Sequence, residues 1–245
     1  MEQKRNIIIK ICYDGTNYYG WNVQPNVPTI QGEILKSIER ITGETTNIKG
    51  ASRTDRGVHA LGQVANFFTS SNIPAEKFKD ALNSILPQDI RIIQSKEGSH
   101  NFDSRRSAKE KIYKYIIYRG EITPFMKNYV LCIKRELNTE KMKEIVKIFE
   151  GEKDFKNFTP ERGFTIRTVT KAEITEKGNF IIFEIRGRGF LRYMVRNIVG
   201  TLILAGLEKL DKEEVEKLLD TQQEEKKYVK FTAPPHGLYL VDVVY

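Results

Sequence analysis

The segment Gly50–Ala60 (GASRTDRGVHA) places a single carboxylate among basic groups. Asp55 lies between Arg53 and Arg56, and His59 follows shortly after. Guanidinium groups this near favour the ionised carboxylate, typically lowering its pKa by about 1–3 units. They can also bind phosphates. The segment therefore predicts a reactive anion that is presented to an anionic substrate. The simpler interpretation is an Asx turn whose arginines face water.

A second basic pair, Arg192 and Arg196, lies in the apolar segment FLRYMVRNIVGTLILAG. Apolar residues recur there at helical spacing and predict a helix over 190–205, with both arginines at the edge of its apolar stripe. The stripe consists of Leu191, Met194, Val195, Ile198, Val199, Leu202 and Ile203. A partly desolvated guanidinium is costly unless a carboxylate or phosphate pairs with it. Alternatively, both arginines extend to water at the start of the helix.

Tyr113 lies in the segment EKIYKYIIY, whose β-branched and aromatic residues predict a strand. Tyr113 and Tyr115 share one face of that strand. A tyrosine in such a strand is most often part of the core. Beside a cleft it can instead stack on a nucleobase, an interaction worth roughly 1–3 kcal/mol.

The segment FDSRRSAK joins the two halves of the chain and carries Arg105, Arg106 and Lys109. A solvated linker explains this composition, and so does contact with an RNA backbone, because arginine and lysine neutralise phosphates whatever the base sequence. The chain carries 40 Lys and Arg against 32 Asp and Glu, a formal net charge of +8. This excess suits a polyanionic partner, although basic surfaces also serve solubility.

Other classes of chemistry find little support in the sequence. Cys12 and Cys132 each lie in an apolar run, which predicts two buried thiols in a reducing compartment. The histidines are scattered without the spacing of zinc ligands, and we expect no metal. No nucleotide-binding or hydrolase motif occurs, and we expect no cofactor. The longest apolar run, Ile198–Leu207, is too short to span a bilayer, so we expect a cytoplasmic protein without a membrane partner.

Strands and helices follow each other without strict alternation, which favours antiparallel α+β layers. Strands are predicted at 6–13, 63–68, 90–94, 110–118, 169–176, 180–186 and 238–243, with a short one before the Asp55 loop. Helices are predicted at 30–41, 74–86, 139–150, 190–205 and 211–219. The charged run at 224–227 is expected to be a loop. The pattern divides the chain into an N-terminal α/β subdomain over 1–107, which carries the Asp55 loop, and a C-terminal one over 108–245.

These segments together resemble the tRNA pseudouridine synthase A family. The stretch RTDRGVHA fits the family pattern G-R-T-D-x-G-V-H-A, with Ser52 in place of the glycine. The strings MVRNIVG and KIYKYIIY fit two further motifs, and the opening YDGTNYYGW and closing APPHGLYL fit as well. At the junction, Phe102 and Arg105 fit the family's F-x-A-R, whereas Asp103 and Ser104 depart from it.

The resemblance implies roles for individual residues. Asp55 would be the catalytic nucleophile, Arg196 would pair with it, and Tyr113 would stack on the target base. Arg53 would fill the space of the extruded base, and Arg105 would bind substrate. Contacts with the RNA backbone would come from Arg56, His59, Arg106, Lys109 and Arg192.

The family isomerises uridine to pseudouridine in the anticodon stem-loop of tRNA, at residues 38, 39 and/or 40, as a homodimer. The resemblance implies two α/β subdomains whose mostly antiparallel sheets join into one larger sheet, with helices packed on it and a basic cleft between the halves. Three alternatives stay open: a paralogue that acts on a different RNA site, a non-catalytic tRNA-binding or folding factor on the same scaffold, and a basic protein-interaction domain, which would show no salt-dependent binding of tRNA. Whether Asp55 forms a covalent adduct or assists a glycal route is also open.

Overall fold

The computed structural model describes residues 4–220 and 229–245. The chain forms two compact units: the first runs to Lys109 and also includes Tyr239–Tyr245, and the second is Glu110–Leu238. The chain-terminal strand, which the sequence-based division assigns to the second half, thus groups with the first unit. The charged run at 224–227 lies outside the described residues.

The first unit begins with a strand whose alternate residues are buried. Ile7, Ile9 and Ile11 on this strand are fully buried, as period-2 patterning predicts. The elements of this part of the chain are β1 (Arg5–Tyr13), α1 (Ile30–Thr42), β2 (Ile48–Gly50), β3 (His59–Thr69), α2 (Phe78–Asn83) and β4 (Ile90–Gly98).

Helix α1 shows how local sequence sets the ends of an element. The side chain of Thr29 accepts a hydrogen bond from the backbone N–H of Gly32 and caps the helix, and Gly43 ends it with a left-handed φ of 72°. The predicted helix over 30–41 and its end at Gly43 are therefore confirmed. Its buried face is apolar apart from Ser37.

The second unit opens on the aromatic strand that carries Tyr113. Its elements are β5 (Glu110–Arg119), β6 (Leu131–Ile133), α3 (Thr139–Val146), β7 (Gly151–Asp154), β8 (Ile166–Lys177), β9 (Phe180–Gly187), α4 (Met194–Gly206) and α5 (Lys212–Leu219). Helix α5 begins with the predicted capping box, in which Asp211 and Glu214 each accept from the other's backbone N–H. The last strand, β10 (Leu238–Val244), returns the chain to the first unit.

Strand pairing is mostly antiparallel within each unit, and the α+β class is confirmed. In the first unit β1 pairs with β3 and β4, and β2 pairs with β3, all antiparallel; β10 pairs with β3 in parallel. In the second unit β9 lies between β5 and β8, and β7 pairs with β8, again antiparallel; β6 pairs with β5 in parallel. Within the residues described, no helix has both the length and the apolar character needed to cross a membrane.

Four predictions about local structure and burial need correction. The helix expected over 74–86 is a 3₁₀ turn at Ala75–Lys77 followed by the short α2, and the helix expected over 139–150 ends as α-helix at Val146. Helix α4 begins at Met194 and not at residue 190, because Tyr193 adopts φ 62°, which a right-handed helix does not accommodate. The two cysteines are partly exposed rather than buried.

Candidate functional site

The loop that carries Asp55 is held by the segment that follows β1. The Tyr13 hydroxyl lies 2.8 Å from Oγ1 of Thr54, and the backbone N–H of Trp21 donates to the Thr54 carbonyl at 3.1 Å. The Asp55 carbonyl accepts from the N–H of Val58 at 3.1 Å, which closes a turn. Asp55 itself is half-buried. The acid is therefore carried on a fixed backbone, at the edge of the protein interior.

Two glycines allow this close approach. Gly20 has φ 94°, and a Cβ there would lie 2.5 Å from the carbonyl oxygen of Thr54. A Cβ on Gly50, just before the loop, would lie 2.5 Å from the ring of the buried Trp21. Both ends of the Asp55 loop are thus packed against the 18–21 segment, so substitution of either glycine would displace the loop.

The two arginines beside Asp55 are both exposed. The guanidinium of Arg56 lies 4.1 Å from the ring centroid of Tyr19, a cation–π distance. This contact holds one cation at the surface next to the loop. Exposure leaves both side chains accessible to a large anionic ligand.

His59 occupies a different environment. It is 2% exposed, its ring stacks on Tyr239 at 4.9 Å, and its Nδ1 lies 3.1 Å from both the backbone N of Gly15 and Oδ1 of Asp14. The expectation that His59 contacts an RNA backbone does not fit this burial. Its partners are groups of the protein, and it fastens the start of β3 to the segment after β1.

The junction segment lies against β2, the strand that leads into the Asp55 loop. Oγ of Ser104 donates to the carbonyl of Lys49 at 2.6 Å, and Nζ of Lys49 lies 3.0 Å from Oδ2 of Asp103. The other carboxylate oxygen of Asp103 accepts from the backbone N–H groups of Arg105 and Arg106, both at 3.0 Å. Arg105, Arg106 and Lys109 are exposed.

Burial alone would raise the pKa of Asp103, but the N–H of Arg106, the Lys49 side chain and the N–H of Arg105 outweigh it and lower that pKa. The acid that departs from the family pattern is therefore already satisfied within the protein. It fixes the turn that displays both arginines, and its charge is opposed by a neighbouring lysine.

A buried polar network supports the same turn. Nδ2 of Asn66 donates to Oδ1 of Asn6 at 2.9 Å, and Oδ1 of Asn66 accepts from the N–H of Ser104 at 2.9 Å. Nδ2 of Asn6 donates to the carbonyls of Ser99 and Phe102. Buried amides paired in this way specify one geometry, because leaving any member unpaired is costly.

In the second unit, Tyr113 is 5% exposed and lies edge-on to Phe190, with ring centroids 5.4 Å apart. Tyr115, on the same strand face, is fully buried, and its hydroxyl donates to the Pro234 carbonyl at 2.8 Å. Desolvation raises the pKa of Tyr115, and the positive charge of Arg196 acts in the opposite direction. The shared face predicted for the two tyrosines is confirmed.

Arg196 lies in the first turn of α4 and is half-buried. Its Nε donates to the Ala233 carbonyl at 2.8 Å. The guanidinium carbons of Arg196 and Arg192 lie 5.2 and 4.8 Å from the ring centroid of Tyr193, and Arg192 also donates to the Tyr193 hydroxyl. Arg192 precedes the helix and is exposed, so it does not share the helix edge with Arg196 as the periodicity suggests.

The structure thus divides the predicted residues between its units. The first holds Asp55, Arg53, Arg56, His59, Arg105, Arg106 and Lys109, and the second holds Tyr113, Arg192 and Arg196. The pairing of Asp55 with Arg196 stays a prediction. Lys49, Asn66 and Tyr193 are positioning residues that the sequence analysis did not find. The sequence did contain a signal for Tyr193, because this residue lies between Arg192 and Arg196, where its ring can contact both guanidinium groups.

The described residues contain no group of three or more His, Cys, Asp or Glu side chains arranged to hold a metal ion. The candidate residues offer a carboxylate and guanidinium groups in the first unit, and tyrosines and guanidinium groups in the second. Exposed cations beside a half-buried acid, on mixed α+β units, are the arrangement expected of proteins that act on a polyanion by nucleophilic or acid–base chemistry.

Comparison with known proteins narrows this class. A family model described as tRNA pseudouridine synthase matches residues 10–105 and 145–245. The tRNA pseudouridine synthase A of Thermoanaerobacter sp. (strain X514) is 47% identical over 98% of this chain and 100% of its own length. The protein of the same name from Caldicellulosiruptor bescii is 45% identical over the same shares. The chain belongs to the tRNA pseudouridine synthase family, whose members are isomerases that act on uridine in tRNA.

A more distant likeness is to a chain in the crystal structure of the archaeal box H/ACA sRNP Nop10-Cbf5 complex. The TM-score is 0.38 at 13% identity, covering 80% of this chain and 42% of that one. At this distance the likeness supports no conclusion about this chain.

Proposed function

We propose that this protein isomerises uridine to pseudouridine in the anticodon stem-loop of tRNA, at residues 38, 39 and/or 40, with Asp55 as the nucleophile. The observation that carries the proposal is the placement of Asp55: half-buried, on a backbone fixed by Thr54 and Val58, and flanked by exposed arginines. Family membership supplies the reaction class, and the geometry supports the assignment of the acid.

The reaction breaks the bond between N1 of the base and C1′ of the ribose and forms a bond between C5 and C1′. The proton on C5 is lost, and N1 gains one, so nothing is oxidised or reduced. Asp55 would add to the sugar or the base, or it would assist departure of the base through a glycal. In each case an ionised carboxylate is needed, and cations near the acid favour that form.

We assign Arg196 to orienting Asp55 and Tyr113 to stacking on the target base. Support for Arg196 comes from its fixed position, since Ala233 and the Tyr193 ring hold its guanidinium. Support for Tyr113 comes from Phe190, which sets the plane of its ring. A side chain held in one orientation before substrate binds loses little freedom in the transition state.

The remaining basic residues are assigned to the RNA. Extrusion of a base from its stack costs a few kcal/mol, least at loops and stem ends, and Arg53 would fill the vacated space. Contacts with phosphates are assigned to Arg56, Arg105, Arg106, Lys109 and Arg192, all of which are exposed. The resemblance further suggests a homodimer in the cytoplasm, which analytical ultracentrifugation and cell fractionation would test.

The Asp55→Asn variant tests the central assignment. It keeps the shape of the side chain and removes its charge, so turnover should be lost while tRNA still binds. Tritium release from tRNA labelled at C5 of uridine measures turnover, and filter binding measures affinity. Full activity in this variant would reject Asp55 as nucleophile. Asp80→Asn is a matched control, because it makes the same carboxylate-to-amide change at a side chain of α2 that is 70% exposed.

The same assay separates the alternatives. Tritium release from tRNA lacking uridine at 38–40 would identify a paralogue with another site. Binding of tRNA without product from any tRNA would indicate a non-catalytic factor. Mapping of pseudouridine in tRNA from cells with and without the gene would then show which positions depend on this protein.

A further inference from the structure

An aromatic side chain of the second unit projects into solvent beside two arginines. Phe164 is 76% exposed, in the loop that leads into β8. The guanidinium carbon of Arg167 lies 5.8 Å from the centroid of its ring. Arg162, two residues before Phe164, is exposed as well. A single exposed apolar ring is common on protein surfaces. The feature that points to a ligand here is the guanidinium group beside the ring of Phe164.

The backbone on both sides of Phe164 is fixed. Thr165 is 7% exposed, its hydroxyl donates to the Asp154 carboxylate, and its carbonyl accepts from the N–H of Phe155 at 3.1 Å. At the start of the loop, Oγ1 of Thr159 accepts from the N–H of Glu161 at 3.1 Å. Because the next residue is buried and bonded, Phe164 is held outward and does not exchange with the core.

The strand register places this loop at a particular end of the second unit. Val169 on β8 lies opposite Gly187, the last residue of β9, and Lys111 on β5 lies opposite the same glycine. The exposed Arg188 follows at once. The loop therefore lies at the strand ends near which β5 carries Tyr113, opposite Ile185. Arg162, Arg167 and Arg188 lie in or next to the strand ends here. The acids at this end are Glu161 in the loop, and Asp154 and Glu110, which accept from the hydroxyls of Thr165 and Thr170.

We propose that Phe164 is a platform on which an unpaired RNA base stacks, while Arg162 and Arg167 contact the phosphates beside that base. The proposal rests on the proposed tRNA-modifying function and extends it to a second point of contact. RNA-binding proteins recognise unpaired bases by stacking them on aromatic and guanidinium planes. A ring with one guanidinium near its face and a second arginine two residues away in the chain matches this chemistry, whereas a protein interface would need a wider apolar patch.

Stacking tolerates every base, because each has a π face. Phe164 therefore orients the tRNA on the protein and does not read its sequence. Loss of the ring should weaken binding of tRNA and leave the chemical step intact. The effect should appear in KM and in Kd, with kcat at saturating tRNA within twofold of the wild type.

The test compares Phe164→Ala with Phe164→Trp and with Phe125→Ala. Phe125 is 87% exposed in the same unit and serves as the matched control. We expect Phe164→Ala to weaken tRNA binding by about 5- to 10-fold, the lower part of the range for a stacked base. Phe164→Trp should restore binding, and Phe125→Ala should have no effect. The slope of affinity against salt should not change in Phe164→Ala, whereas Arg162→Ala should reduce it by about one.

A spectroscopic readout tests the stacking directly. The chain has one tryptophan, Trp21, which is 2% exposed, so Phe164→Trp adds a solvent-exposed indole. Stacking predicts quenching of the added fluorescence when tRNA binds, and unchanged fluorescence would overturn the proposal.

Failure of this proposal is distinguishable from failure of the proposed function. If the wild type releases tritium and Phe164→Ala binds tRNA equally well, the platform is refuted and the enzyme assignment stands. If the wild type releases none, filter binding of the same variants still decides the platform. A change of oligomeric state in Phe164→Ala with unchanged RNA affinity would assign the ring to a protein contact and overturn the proposal.

Discussion

Arg196 and Ala233 exchange two hydrogen bonds: Nε of Arg196 donates to the Ala233 carbonyl at 2.8 Å, and the Ala233 N–H donates to the Arg196 carbonyl at 3.1 Å. The bond from the Ala233 N–H is accepted by the carbonyl of Arg196, a residue of the first turn of α4. The bond from Nε fixes the orientation of the Arg196 guanidinium. The segment Phe231–Ala233, called the brace below, thus supports Arg196. The position of this segment against α4 determines where the guanidinium lies.

That brace passes close to α4 at Gly200, where a Cβ would lie 1.9 Å from the carbonyl oxygen of Phe231. Gly200→Ala must therefore displace the brace. Overpacking of this kind costs about 1–3 kcal/mol, and we expect a lower Tm in thermal unfolding followed by circular dichroism. The displacement should also lower kcat through Arg196.

Gly189→Ala is the control for this prediction. A Cβ at Gly189 meets no atom within 4 Å, so its Tm should match that of the wild type. A Gly200→Ala protein with wild-type Tm and wild-type turnover would show that the brace does not position Arg196.

Whether Asp103→Ala tightens or weakens tRNA binding distinguishes two interpretations of the turn at Asp103. If Asp103 merely adds negative charge, Asp103→Ala should tighten tRNA binding. If it positions Arg105 and Arg106 through their N–H groups, as the distances indicate, the alanine variant should bind tRNA more weakly. Both N–H groups donate to an ionised carboxylate, and a loss of about 1 kcal/mol of binding free energy would correspond to roughly fivefold weaker affinity for tRNA.

Asp103→Asn supplies the control, since an amide oxygen still accepts from both N–H groups. It loses the ion pair with Lys49, whose side chain is 60% exposed, and such surface pairs contribute little. Binding by the asparagine variant should stay within twofold of the wild type. Filter binding at two salt concentrations measures both variants, and equal weakening in the two would contradict the positioning role.

The helices and strands that could be predicted from the sequence are those whose ends and faces are set locally. The α5 capping box and the alternation in β1 are examples, because neighbouring residues alone determine them. β7, with the polar sequence GEKD, forms because β8 pairs with it, and no pattern within the segment indicates a strand.

Tyr193 in the candidate site is a second feature that the local sequence does not predict. Tyrosine rarely adopts positive φ, so the start of α4 at Met194 is imposed by tertiary structure. The amide pair of Asn6 and Asn66 is similar: each is an ordinary polar residue in the sequence, and only pairing of β1 with β3 buries them together. Motifs identified Asp55, Tyr113 and Arg196 as candidates, whereas the groups that hold them became visible only in three dimensions.

Glu184 provides the clearest prediction about pH. This residue of β9 is 8% exposed, and its carboxylate contacts Arg186 at 2.6 Å and Lys114 at 3.1 Å. Burial by itself would raise the pKa of Glu184, but the hydrogen bonds and charges of Arg186 and Lys114 outweigh it, and the pKa lies below its ordinary value.

A carboxyl whose pKa is lower in the folded state stabilises the fold above its unfolded pKa and loses that contribution as pH falls through the folded pKa. Glu184→Gln should therefore lower stability at pH 7, by about 1–2 kcal/mol for a charge-assisted pair. The two proteins should begin to converge below the ordinary glutamate pKa of about 4.3, and the difference should vanish once the pH is below the lowered pKa of the folded state. Urea unfolding at pH 7, 5 and 3.5 measures the difference. A difference that stays constant over this range would show that packing of the side chain, and not its charge, accounts for the loss.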